Sequence, residues 1–384
     1  MPLLTVVIPV LNMAEWLPPA IESCLWQKGM DVEVLVVDGG SRDGTPAIVD
    51  AYAAQDSRVR LVSRPGYGLG ASRQVGQDEA AGDFVTWMDA DDFLDKHAAA
   101  AWVNAAQRNR SDMVCANVVA FLDRSFNARR HFYHPAADKL HFDSAPGYWK
   151  SKVVWRWIFS LPFLREQGLT HTEFKVGQDV CFMYRALLRA ERFCQIEPVV
   201  YYFRQEHKHA QHSVAVQVEH GFGHFGEVKR VLLRDTPDGV PRIKPFVKYL
   251  NENYWRDVKK VAPRLVGSDA AWEETLVGLG LDLFDGLDPA WFRAGFLASE
   301  LREVPAFLPF ADAMIARDTG AVKAVIRSLQ VAARPAPDRR NLYHTVRHRM
   351  KSLFNPLSHA ARSRLSRLEE LAAKRPGIPK PESL

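Results

Sequence analysis

Over the first ninety residues the apolar positions gather into short β-branched runs separated by stretches with helical spacing. LTVVIPV, VEVLVVD, VRLVS and DFVTWMD read as strands, and helices are predicted from Ile21 to Trp26, Thr45 to Ala54 and Ala71 to Ala80. Val34 to Val37 is apolar without alternation, the pattern of a strand covered by helices on both faces. An α/β fold with a Rossmann-like, mostly parallel central sheet follows. From about residue 112 to 215 the pattern is mixed. It predicts a strand at Met113 to Val119, an aromatic helix around Tyr148 to Phe159, a helix from Gln178 to Arg189 and a strand at Pro198 to Phe203. Beyond about 216 the spacing is mostly helical, with breaks at Asp238-Gly239 and Pro335-Ala336-Pro337 and no internal repeat. Three parts are expected: an α/β domain over 1–215, a helical domain over 216–335 and a tail over 336–384.

Composition adds two constraints. At 384 residues and 47% apolar, the chain can bury a sizeable core, and no stretch approaches the ~18 apolar residues of a spanning helix. The N-terminal MPLLTVVIPV has no charged leader, so a cytoplasmic protein is expected. Cys24, Cys115, Cys181 and Cys194 form no CxxC pair, which argues against a disulfide framework or zinc knuckle. The net charge of +5 is uneven, because residues 339–384 hold eleven Lys and Arg against three Asp and Glu.

In an open sheet of this kind ligands bind beyond the carboxyl ends of the strands, and here those ends are polar and acidic. The first strand ends in Val10-Leu11-Asn12, the second in Asp38-Gly39-Gly40-Ser41 and the fourth in Asp89-Ala90-Asp91-Asp92. Asp89 and Asp91 put two carboxylates on one side of an extended segment, able to grip one divalent cation, or a cation and a ribose hydroxyl. Mn²⁺ or Mg²⁺ there would take up charge on a leaving diphosphate; ordinary turn formation is the competing explanation. Asp38 could accept from a nucleobase N–H while the glycines let the backbone approach the ring. Asp43 and Thr45 would also cap the next helix.

Taken in order and spacing, VVIPVLN, Ser23 to Gln27, VVDGGSRDGT, GLGASRQVG, DFVTWMDADD, VGQDVCFMYRA and PVVYYFR resemble the family 2, GT-A-type glycosyltransferases over roughly residues 4 to 213. The resemblance implies a GT-A nucleotide-sugar-binding fold followed by a helical C-terminal region. It implies an inverting, metal-dependent enzyme using a nucleotide-sugar donor, a UDP-sugar by default, and a glycan or lipid-linked acceptor in cell-surface polysaccharide biosynthesis. It makes Pro9, Asn12, Asp38, Arg73 and Asp89 nucleotide-binding, Asp91 the metal ligand and Asp179 the base that takes the acceptor proton. Gln178 stands where the family has Glu, and Leu11 where many relatives carry an aromatic. A histidine of the loop His207-Lys208-His209-Ala210-Gln211-His212, His207 or His212, would reach the metal or diphosphate. Trp149, Trp155 and Trp157 would supply an acceptor floor if they are not core.

Three rival readings bear on this. Gly66, Gly68 and Ala71 satisfy GxGxxA, but the dinucleotide fingerprint belongs after the first strand, where this chain has no glycine. A non-catalytic GT-A-like scaffold or glycan-binding protein is the alternative from another class; intact Asp38, Asp91 and Asp179 favour the enzyme. The tail interleaves Tyr343, Val346, Met350, Leu353, Phe354, Leu365, Leu368 and Leu371 with basic residues. Either it lies on an anionic membrane surface or it is a solvated helix that packs on the helical second unit or frays at the end, and no motif that reads nucleic acid accompanies it.

Overall fold

The computed structural model describes residues 3–122, 127–150, 152–205, 212–293, 304–332 and 356–375. The chain divides into two compact units. Unit 1 comprises Met1–Glu173, Arg189–His209 and Arg339–Leu384; unit 2 comprises Phe174–Leu188 and Ala210–Asp338. Unit 2 thus takes in the Gln178 helix, and unit 1 takes in the tail, both departures from a simple cut at residue 215.

Unit 1 opens with β1 (Leu4–Val10), α1 (Leu17–Leu25), β2 (Val32–Asp38), α2 (Thr45–Ala53), β3 (Val59–Ser63), α3 (Leu69–Glu79) and β4 (Phe84–Trp87). It continues with β5 (Phe93–Leu94), α4 (Ala98–Asn109), β6 (Met113–Leu122), β7 (Asn127–Phe132), β8 (Ala137–Leu140), β9 (Trp157–Ser160), α5 (Leu161–Glu166) and, after α6 (Gln178–Arg189), β10 (Phe193–Arg204). One sheet runs β3-β2-β1-β4-β9-β6-β10-β5, with β7 added to β6 and β8 to β10. β1 pairs in parallel with β2 and β4, and β6 with β10, whereas β9 runs antiparallel between β4 and β6. Every residue of β1 and β2 is buried, as their unalternating apolar sequence requires.

The aromatic segment departs from expectation. Tyr148 to Phe159 forms two short 3-10 turns and then β9 rather than a helix. Trp155, Trp157 and Phe159 recur at the strand period of two, and β-branched Val153, Val154 and Ile158 among them favour extended backbone.

The tail departs from it too. Pro356–Lys374 is a C-terminal helix lying against α1, β6 and β7. Ala361, Leu365 and Leu368 are buried in one cluster with Phe93, Val119, Phe121, Ala128 and Tyr202. Leu365 and Leu368 therefore do not face outward to a membrane: the sheet supplies an apolar surface that already covers them. Tyr343, Val346, Met350, Leu353 and Phe354 lie outside the described residues.

Unit 2 is helical, built from α6, α7 (Val214–Leu233), α8 (Ile243–Tyr249), α9 (Trp255–Val261), α10 (Ala271–Phe284) and the helices Val304–Ile315 and Thr319–Ala332. Its core is aromatic, with Phe222, Phe225, Tyr254, Phe284 and Phe310 in edge and tilted contacts. Among the described residues no helix is long and apolar enough to cross a membrane.

Candidate functional site

β1 has β2 on one side and β4 on the other, so the chain reverses its direction of travel across the sheet between them. Such a switch point opens a crevice beyond the strand ends, and Asn12, Asp38, Asp89 and Asp91 all stand at or just past those ends.

Two loops on the β1/β2 side are sewn together. Asn12 sits in the left-handed region (φ +56°), where an Asn is tolerated. Its amide donates to the Ser41 hydroxyl and its Oδ1 accepts from the Arg42 amide, both at 2.8 Å. Asp43 accepts from the Ala14 amide through Oδ2, and from the Thr45 amide and hydroxyl through Oδ1. The Thr45 hydroxyl in turn accepts from the Met13 amide at 2.9 Å. Burial pushes the Asp43 carboxyl up, but the hydrogen bonds from Thr45 and Ala14 outweigh it and leave the group below its ordinary range. Asp43 thereby satisfies an amide in the turn ahead of α1 and the first amide of α2.

Asp38 is buried, and its carboxylate accepts from the amides of Gly40 and Ser41 at 3.1 Å. It closes its own loop, a role the sequence reading did not separate from base binding. Gly39 packs so closely that a Cβ would come within 2.9 Å of the Tyr67 carbonyl oxygen and 3.9 Å of Leu11 Cδ1. Leu11 and Tyr67 are exposed there, leaving an apolar rim beside Asp38. Pro9 is a buried β1 residue paired with Val37.

The acidic loop after β4 is braced from inside the sheet. The Tyr201 hydroxyl donates to Asp92 Oδ2 at 2.7 Å and accepts from the Asp89 amide at 3.1 Å. Arg204 donates its backbone amide to Asp92 Oδ1 and its Nε to the Asp91 carbonyl, both at 2.7 Å. The Arg204 guanidinium lies 4.5 Å from the Trp16 ring and 5.1 Å from that of Phe121. Burial, and then the charges of Asp91 and Asp89, push the Asp92 carboxyl well up. Three acids so close form a field that a cation would relieve. Asp89 is partly exposed and Asp91 is buried beside it; one or two such carboxylates plus substrate phosphates are what Mn²⁺ or Mg²⁺ binds, so the donor set fits that class of ion. Among the described residues no group of three or more His, Cys, Asp and Glu is assembled around one point.

Arg73 reaches this loop from α3. It is almost fully buried, and its Nη2 lies 3.3 Å from Asp89 Oδ1, while its carbonyl accepts from Trp87 Nε1. The glycines of GLGASRQVG allow that approach. A Cβ at Gly76 would lie 2.1 Å from Val7 Cγ1, and one at Gly70 would lie 2.0 Å from the Thr172 carbonyl oxygen. These glycines serve helix packing.

Asp179 and Gln178 stand in the first turn of α6, in unit 2, after Gly177 with φ +86°. A Cβ on Gly177 would fall 2.3 Å from the His224 ring, whose Nε2 bonds the Tyr249 hydroxyl at 2.7 Å. The helix start is thus fixed within its own unit.

Other expected residues fare differently. Trp157 is fully buried against Tyr148 and Phe193, and Trp155 stacks on Tyr201 at 4.6 Å. Both belong to the core, which corrects their assignment to an acceptor floor; the Trp149 side chain lies outside the described residues. His212 is exposed, and its carbonyl accepts from Arg264 in unit 2, while His207 lies outside the described residues. Tyr201, Arg204 and Asp92 were missed. A charged residue closing an apolar strand, as in PVVYYFR, was the available signal for Arg204.

Residues 5–193 match the sequence model of the family described as Glycosyl transferase family 2. An uncharacterized glycosyltransferase, EpsJ of Bacillus subtilis, is 25% identical over 214 residues, 53% of this chain and 61% of that protein. The succinoglycan biosynthesis protein ExoO of Rhizobium meliloti is 31% identical over 220 residues, 53% of this chain and 62% of that one. The chain therefore spans less than two thirds of these relatives' lengths. In fold it is similar to S. aureus TarS 1-349, solved in complex with UDP-GlcNAc, with a TM-score of 0.70 at 16% identity, covering 86% of this chain and 92% of that one.

Proposed function

We propose, from the premise that this chain belongs to glycosyl transferase family 2 through residues 5–193, that it moves a hexosyl or N-acetylhexosaminyl group from a UDP-sugar to a hydroxyl of a glycan or lipid-linked acceptor, with inversion. A role in building a cell-surface polysaccharide is supported by the name of its succinoglycan relative. The UDP-GlcNAc bound to the S. aureus protein of similar fold supports the donor class.

The braced acidic loop at the switch point carries this reading. Asp38, Leu11 and Tyr67 would frame the base; Asn12 holds the loop beneath it. Asp89, steered by Arg73, would face the ribose or phosphate side, and Asp91 would hold a divalent cation. When bound, that cation supplies Lewis-acid stabilisation of the leaving nucleoside diphosphate. Asp179 removes the acceptor proton as the hydroxyl attacks the anomeric carbon from the face opposite the leaving group, which is what inversion demands. The resemblance assigns Gln178 to the acceptor and His212 or His207 to the diphosphate.

Calorimetric titration of UDP, dTDP and GDP, each with Mn²⁺ and with chelator, tests the nucleotide site. Metal-dependent binding of one nucleotide, lost in Asp91→Ala, is expected. Asp179→Asn should bind that nucleotide like wild type yet transfer sugar about 10²–10⁴-fold more slowly. No binding of any nucleotide would instead favour a non-catalytic scaffold.

A further inference from the structure

The acidic loop runs directly into the two-residue strand β5, whose Phe93 shares a buried cluster with the C-terminal helix. Phe93, next to Asp92, stacks on Tyr202 with ring centroids 4.7 Å apart and planes 9° from parallel. Leu365 and Leu368 of the C-terminal helix are buried in the same cluster as that stack. Three residues past Asp92, the Asp95 carboxylate takes an ion pair from Arg364 at 2.7 Å, and the Arg364 guanidinium also lies over the Tyr202 ring at 5.2 Å. Asp95 is itself anchored: Oδ1 accepts from the His97 amide, its amide donates to the Val200 carbonyl, and its carbonyl accepts from Gln27.

The strand after the acids is therefore gripped from two sides. Tyr201 and Arg204 hold Asp89, Asp91 and Asp92 from the sheet. Arg364, Leu365 and Leu368 hold Phe93 and Asp95 from the helix. Gathering three acids before a cation arrives is electrostatically unfavourable, so a loop left to itself would relax outward. A rigid strand immediately downstream opposes that relaxation, and preorganisation of this kind is what outer support contributes to a metal site.

We propose that the C-terminal helix is a positioning element of the donor site, and that Arg364 acts through Asp95 and β5 to hold the acidic loop ready for the metal-nucleotide complex. The proposal rests on the function given above. It makes the basic tail part of the nucleotide-binding unit in spite of its distance in sequence.

Deleting the helix would strip Phe93, Phe121 and Tyr202 of their cover and confound binding with unfolding, so point variants in the full chain are the test. Calorimetric titration of UDP, dTDP and GDP with Mn²⁺ is made on wild type, Arg364→Gln, Arg364→Lys and Asp95→Asn, with thermal melts of each. For the nucleotide that wild type binds, Arg364→Gln and Asp95→Asn should raise Kd about tenfold, the low end of what lost outer support costs a metal site. Arg364→Lys, which keeps the charge, should recover most of the affinity. Unchanged Kd in Arg364→Gln and Asp95→Asn, with or without a lower Tm, would reduce the helix to a structural cover and overturn the inference alone. Absence of nucleotide binding by wild type would overturn the functional reading and this inference with it.

Discussion

Arg204 and Asp91 are 113 residues apart in sequence, yet the guanidinium Nε of one donates to the carbonyl of the other at 2.7 Å. The same arginine's backbone amide binds the Asp92 carboxylate. One residue at the end of β10 therefore fixes the backbone of the metal-binding candidate and the side chain of its neighbour. Arg204→Met keeps the amide and much of the packing on Trp16 but loses the Nε bond. A loss of about 1.5–3 kcal/mol in stability is expected by denaturant melting, with a higher Kd for Mn²⁺ and nucleotide. An unchanged Kd would show that the brace is dispensable.

Tyr201→Phe removes one oxygen that serves both Asp92 and the Asp89 amide. The ring still stacks on Trp155, so the fold should persist with about 1–3 kcal/mol less stability, the cost of a buried acceptor left unsatisfied. The donor KM should rise more than kcat falls, because the loop is disordered rather than its chemistry removed. Steady-state kinetics over a Mn²⁺ series checks this.

Two glycines should be intolerant of alanine for different reasons. Gly70 would meet a backbone oxygen at 2.0 Å, so α3 must move and carry Arg73 away from Asp89. Gly177 combines φ +86° with the His224 ring at 2.3 Å, so alanine there disturbs the start of α6. Each should cost about 1–3 kcal/mol. Gly70→Ala should weaken nucleotide binding, whereas Gly177→Ala should spare it and slow transfer.

Asp43 gives a pH signature. Its carboxyl titrates below the ordinary value in the folded chain, so its contribution is complete above the unfolded value of about 3.9 and fades as pH falls through the lowered one. The Tm gap between wild type and Asp43→Ala should be constant above about pH 5 and close below the ordinary carboxylate range. Scanning calorimetry at stepped pH measures it, and a gap that widened in acid would reverse the assignment.

Trp157 should behave as core. Trp157→Ala is expected to lose about 3–5 kcal/mol, whereas Trp157→Phe should leave the acceptor KM within about twofold of wild type. A large KM change in the latter would restore the tryptophan to the acceptor site.

The parallel half of the sheet was legible because β1 and β2 are apolar on both faces, a local property. The acids at the strand ends were legible for the same reason, since a strand's end marks where its loop begins. The segment 148–159 was misread because aromatic content suggested a helix while the spacing of Trp155, Trp157 and Phe159 followed the strand period. Asp38 was found, but its commitment to the amides of Gly40 and Ser41 depends on a turn geometry that sequence leaves open.

By itself the sequence determined the order of elements through β4, the rim on which the polar groups gather, and the family, because each is written in short-range pattern and in the spacing of motifs. Only the tertiary structure decided that Arg204 and Tyr201 brace the acidic loop, that Trp155 and Trp157 are core, and that Leu365 and Leu368 of the basic tail are buried beside Phe93. Those outcomes depend on which surfaces meet between segments separated along the chain. A local pattern can show that a helix has an apolar face; it takes the folded sheet to supply what covers it.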